Sequence, residues 1–92
     1  MSEVRITLFG ALRRAVGKEE VEVKASTLRE ALDRLVSRYG GQFKERVYDQ
    51  TGKPRSFINI YINGKDIRFL KNLDTVLKNG DEISMIPAVS GG

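Results

Sequence analysis

Ninety-two residues suffice for one domain with a modest core, and no second domain is expected. The absence of Cys and His removes disulfides, Cys/His zinc sites, thiol nucleophiles and Ser/His triads, so any sulfur or acyl chemistry falls to the backbone terminus. The net charge of +4 comes from 16 basic residues interleaved with 12 acidic ones and no RNA-binding signature, so no nucleic-acid partner is expected; no apolar run approaches the roughly 20 residues of a membrane span, and "MSEVRITLFG" lacks a signal-peptide pattern, which points to a cytoplasmic protein without a membrane partner.

The first predicted element is a strand over residues 3–9, "EVRITLF", with Val4, Ile6 and Leu8 on one face and Arg5, Thr7 and Phe9 on the other. "GALRRAVGKE" reads as a connection, and "EVEVK" as a second strand with Val21 and Val23 inward, completing an opening hairpin. "TLREALDRLVSRYGG" predicts the main helix. Thr27 and Glu30 have capping-box spacing, and Leu28, Ala31, Leu32, Leu35, Val36 and Tyr39 share one face. Arg34 and Arg38 suit the negative end of its dipole, and Gly40 supplies a left-handed stop.

Phe43 and Val47 are expected to anchor a single helical turn before the turn-prone "DQTGKPR". "FINIYINGKDIRF" then predicts a hairpin, because Asn63-Gly64 tolerates the positive φ values of a two-residue type I′ turn. Ile58, Ile60 and Ile62 fall on one face of its incoming strand, Asn59 and Tyr61 on the other. A loop anchored by Leu70, Leu73, Val76 and Leu77 leads to a last strand, "EISMIP", with Ile83 and Met85 inward and Ser84 and Ile86 outward. Asp81 and Glu82, where a turn passes into that strand, read as turn and solubility residues.

This order predicts an α+β domain, a mixed sheet covered on one face by one main helix. The uncovered face would present Thr7, Phe9, Asn59, Tyr61, Ser84 and Ile86. Three large apolar or aromatic groups, Phe9, Tyr61 and Ile86, exceed what a solvated sheet face normally shows, and they predict a docking surface beside the C-terminal tail.

The order of elements resembles the β-grasp, or ubiquitin-like, fold. "LKNGDEISMIPAVSGG" is similar to the closing signature of the MoaD/ThiS sulfur carriers, in particular the small subunit of molybdopterin synthase. "LFGALRRAVG" is similar to that family's first strand and loop, and "INGKDI" to its hairpin, so the resemblance covers essentially the whole chain. Ala88 stands where family members often carry a second proline, and residues 43–55 form a longer, more basic segment than a minimal member needs.

The resemblance implies a β-grasp domain over residues 1–86, a flexible tail over 87–92, and a carrier that is not catalytic alone. An E1-like adenylating enzyme would activate the Gly92 carboxylate with Mg-ATP. A sulfur donor system would convert the acyl-adenylate to a thiocarboxylate, and the large synthase subunit would pass the sulfur to a pterin precursor. A ubiquitin-like modifier, joined through Gly92 to substrate lysines, is the alternative that shares this fold and tail. Gly91 and Gly92, lacking Cβ atoms, could thread a narrow channel, Pro87 would stiffen the root, and Val89 would occupy a small pocket. Residues 87–92 could reach about 20 Å at ~3.3 Å per residue. No cofactor and no metal are expected on this chain, which has no G-x-x-x-x-G-K loop to cradle phosphates; Mg-ATP would bind the activating partner.

Overall fold

In the computed structural model, which describes residues 1–88, strand β1 (Ser2–Leu8) lies between an antiparallel neighbour, β2 (Glu20–Ala25), and a parallel one, β5 (Glu82–Pro87). On the far side of β5 come β3 (Ile58–Ile62), antiparallel to it, and the two-residue β4 (Lys65–Asp66), giving the order β2-β1-β5-β3-β4. The last strand of the chain is thus the middle strand of a mixed sheet, the architecture expected from the order of elements.

Alternation decides the inner face. Val4, Ile6, Leu8, Val21, Val23, Ile58, Ile60, Ile62, Ile83 and Met85 are all buried, as a period of two requires when one face is covered. The cover is α2 (Leu28–Tyr39), which buries Leu28, Ala31, Leu32 and Leu35, while Val36 and Tyr39 pack at the margin. Each fully buried leucine or isoleucine contributes roughly 1.5–3 kcal/mol of transfer free energy. At the start of α2, Thr27 Oγ1 accepts from the Glu30 N–H at 3.3 Å, and Glu30 Oε1 accepts from the Ser26 N–H at 3.2 Å. The first bond satisfies a donor that the first turn cannot, while the Glu30 carboxylate reaches the residue before the cap rather than the Thr27 N–H of the expected capping box.

Four expectations need correction. Residues 10–16 are not a bare connection but a short helix, α1 (Gly10–Val16), which buries Leu12 and ends at Gly17 in the left-handed conformation. Phe9, still extended like β1, also serves as the N-cap of α1: its carbonyl accepts from Leu12 N at 3.2 Å and Arg13 N at 3.4 Å. The expected single turn at Phe43 and Val47 is a seven-residue helix, α3 (Gly41–Val47), with both side chains fully buried. Gly40 has positive φ but ψ of −164°, so it is a glycine-only hinge between α2 and α3 rather than a left-handed stop. In the 66–81 segment, Leu73 and Leu77 are buried anchors, whereas the Val76 side chain is 69% exposed and only its backbone is tied down, in a bridge to Thr27.

The Asn63-Gly64 hairpin forms as expected, with φ of 52° and 83°. Asn63 also ties it to β5: its Oδ1 accepts from Glu82 N at 2.9 Å, and its Nδ2 donates to Asp81 Oδ1 at 2.8 Å. Asp81 Oδ2 accepts from Lys78 N at 2.8 Å, so this carboxylate organises the turn into β5.

Candidate docking face and tail root

Register assembles the open face. Thr7 stands beside Ser84 in the parallel β1–β5 pair, and Ser84 stands opposite Tyr61 in the antiparallel β5–β3 pair, so these three form one row across the middle of the sheet. The next row toward the end of β5 contains Ile86 opposite Asn59. Phe9 completes it: its φ of −125° and ψ of 156° continue the extended backbone of β1, and its N–H donates to Met85 O at 3.2 Å. Phe9, Tyr61 and Ile86 thereby share a face, with Phe9 41% and Ile86 36% exposed and Tyr61 half-buried.

That row stands at the root of the tail. Pro87 is the last residue of β5 and pairs with Ile58, one residue beyond the expected domain edge at residue 86. The Ala88 N–H still donates to Phe57 O at 2.6 Å. The sheet holds the departing chain on both sides, between Phe9 and Phe57. Val89, Gly91 and Gly92, expected from the sequence to belong to the site, lie outside the described residues.

Two features of this root were not read from the sequence. Phe57, 48% exposed and opposite Ala88, continues the outward series of Asn59 and Tyr61, and extending their alternation by one step locates it. Gly10 sits with φ of +56° against Pro87, where a Cβ would stand 3.1 Å from Pro87 Cγ. No sequence signal marks that contact, since it joins residues 77 positions apart.

Electrostatics divide the face. Towards β2 it carries charges in exposed pairs, Arg5 with Glu20 and Glu82 and Lys24 with Glu3. Such pairs add little stability but do make that half polar. Near β4, Arg68 donates to Asp66 at 2.6 Å, and this hydrogen bond holds the Asp66 carboxyl below its ordinary range. The apolar group of Phe9, Ile86 and Phe57 is concentrated where the chain leaves the sheet. A strand end framed by exposed aromatics suits presentation of a terminal segment to another protein.

A family comparison matches residues 6–92 to the ThiS family, tail included. The chain belongs to the ThiS family. It is a ubiquitin-like sulfur carrier of the MoaD/ThiS type with the β-grasp fold, and as a small carrier it is not catalytic by itself. The solution structure of small archaeal modifier protein 1 from Methanosarcina acetivorans superimposes with a TM-score of 0.90 at 36% identity, covering 100% of this chain and 98% of that one. A chain of the BexX/CysO complex of Amycolatopsis orientalis matches with a TM-score of 0.85 at 37% identity, covering 97% and 99%. The molybdopterin synthase sulfur carrier subunit of Mycobacterium tuberculosis is 33% identical over 96 residues, covering 100% of both chains. Among the described residues, no helix is long and apolar enough to cross a membrane.

Proposed function

We propose that this ThiS-family chain is the sulfur carrier of molybdopterin synthesis, the small subunit of a molybdopterin synthase. The observation that carries the reading is the end-to-end match to the M. tuberculosis synthase subunit, which leaves no part of either chain uncovered. In this reading the Gly92 carboxylate attacks the α-phosphorus of ATP on an E1-like enzyme and pyrophosphate leaves. A sulfur nucleophile then adds to the acyl carbon and AMP leaves, since a carboxylate is a poor electrophile until its oxygen belongs to a phosphate leaving group. The resulting thiocarboxylate gives its sulfur to a pterin precursor on the large synthase subunit. Mg-ATP is held by the activating enzyme. The role of this chain is mechanical and recognitional: Phe9, Tyr61 and Ile86 dock each partner in turn, Pro87 fixes the exit direction, Val89 packs in the channel, and Gly91 and Gly92 admit the reacting carbonyl.

The close superposition on an archaeal modifier protein favours a second reading, conjugation through Gly92 to substrate lysines. Intact-mass analysis of the protein from its native cells separates the two. One oxygen-to-sulfur exchange on this chain, dependent on the activating enzyme, supports the carrier. Lysines of other proteins branched to this chain's C-terminal peptide, residues 79–92 after tryptic cleavage at Lys78, with no thiocarboxylate on this one, support the modifier and contradict the carrier.

A further inference from the structure

The two edges of the sheet are finished differently. On β2, the outward carbonyls of Lys24 and Glu22 accept from Arg34 Nε at 3.2 Å and Arg38 Nη1 at 3.4 Å. Two arginines of α2 thus occupy that edge, which blocks addition of another strand. At the opposite edge, among the described residues, β4 pairs with Tyr61 and Ile62 alone, and the first part of β3 has no strand on that side.

The β5 pairing determines which groups of β3 are free there. Phe57 O accepts from Ala88 N, and Asn63 N donates to Glu82 O, so residues 57, 59, 61 and 63 turn their backbone groups to β5 while Ile58 and Ile60 turn theirs to the edge. The Ile58 N–H is taken by Arg55 O at 3.0 Å. The Ile58 carbonyl and the Ile60 N–H have no hydrogen-bond partner among the described residues. A carbonyl at one position and an N–H two positions on is the set that one residue of a parallel strand engages.

Ile58 and Ile60 both line a groove of about 530 Å³ bounded by the 53–56 loop, the start of α2 and the two 3₁₀ turns at Ile67–Phe69 and Asn72–Asp74. Four cationic side chains and two carboxylates border it. Arg29 is paired with Asp74 at 3.1 Å and Arg68 with Asp66, which leaves Lys53 and Arg55 with no carboxylate in ion-pair range among the described residues.

We propose that this groove seats an extended acidic segment of a partner protein, laid parallel to β3. One of its residues, opposite Asn59, donates its N–H to Ile58 O and accepts from the Ile60 N–H, and neighbouring carboxylates meet Lys53 and Arg55. The backbone pair selects a peptide, because a single extended residue presents an N–H and a carbonyl at the spacing that the Ile58 carbonyl and Ile60 N–H require; Lys53 and Arg55, outside any ion pair among the described residues, select acidic side chains. The seat adjoins the open face, since the Arg55 guanidinium lies over the Phe57 ring at 6.0 Å from its centre and Asn59 borders both, but it does not depend on what the tail carries. It lies one strand from the tail root, since Ile58 pairs with Pro87.

The test uses the full chain, ¹⁵N-labelled, titrated with a blocked peptide of alternating valine and glutamate and with the same peptide carrying lysine for glutamate. Binding of the acidic peptide with slowed hydrogen exchange at the Ile60 amide, and weakening of roughly tenfold or more in Lys53→Glu/Arg55→Glu with the amide spectrum of the folded protein retained, is the expected result. Lys53→Glu alone, which leaves the Arg55 Nε to Glu45 O hydrogen bond intact, should show part of that loss. The proposal is overturned by equal affinity for the lysine peptide, by unchanged Ile60 exchange at saturation, by shifts centred on Phe9 and Ile86, or by no binding at millimolar peptide.

Discussion

Gly10 and Pro87 are packed so closely that a single methyl group at residue 10 would reach 3.1 Å from the proline ring. The first residue of α1 therefore packs directly against the last residue of β5, where the tail begins. Gly10→Ala adds two penalties, a side chain at φ of +56° and a push on Pro87. The first costs about 1–2 kcal/mol, or a melting temperature lower by roughly 4–8 °C per kcal/mol in a domain of this size. Gly17→Ala, at φ of 82° with open space around it, carries only the first. Melting curves should show both variants destabilised, and sulfur loading by the cognate activating enzyme should fall in Gly10→Ala alone. Equal loading of the two variants would mean that the contact does not aim the tail.

Replacing Phe9 or Ile86 by Asp should abolish binding to the large synthase subunit while leaving the melting temperature within a few degrees. Both side chains are more than a third exposed in the free protein, so a charge there costs little until a partner desolvates it, when the penalty reaches several kcal/mol. Calorimetric titration alongside thermal melting measures both quantities. Normal affinity in a folded variant would remove these residues from the docking face.

Alkaline stability should depend on Tyr48. Burial, aided by the negative charge of Asp33, pushes its phenol up to about 12 from an ordinary 10. The raised folded-state value means that the neutral phenol stabilises the fold fully below pH 10, and that this contribution is lost as the pH rises towards 12. Tyr48→Phe cannot ionise, so its melting temperature should decline less steeply between pH 10 and 12. Parallel slopes for the two proteins would assign the alkaline loss to other groups.

Most of the sheet and α2 were legible because each element carries its own periodicity. The inward residues of β1, β2, β3 and β5 follow from alternation, and α2 announces itself with Thr27, Glu30 and a full apolar stripe. α1 is silent for the opposite reasons. It has seven residues, one buried side chain in Leu12, glycines at both ends and no side-chain cap, because Phe9 occupies that position. It forms because Leu12 has a core to enter and Gly17 can close the turn, which are tertiary and backbone effects rather than local pattern. Val76 was assigned to the core on hydropathy alone, in a loop where no period exists to orient it. The docking face was legible as a set of outward residues, whereas its extension to Phe57 and the Gly10–Pro87 contact depend on how β5 is placed between β1 and β3.

The central claim is that the terminal carbonyl of Gly92 is the reacting group, and a shift in its position tests it. Deleting Gly92 or appending one residue moves that carbonyl by about 3.3 Å, and a misplacement of even ~1 Å can cost on the order of 10²-fold in rate. Gly91→Val and Gly92→Val should be nearly as damaging, since a β-branched side chain stiffens and widens the arm. The decisive measurement is intact-mass detection of thiocarboxylate on wild-type and tail-extended protein, each incubated with the cognate activating enzyme, ATP and a sulfur donor. The account predicts the oxygen-to-sulfur mass change on wild type and none on the extended chain, with equal melting temperatures. Full sulfur loading of the extended chain, without prior trimming, would contradict it.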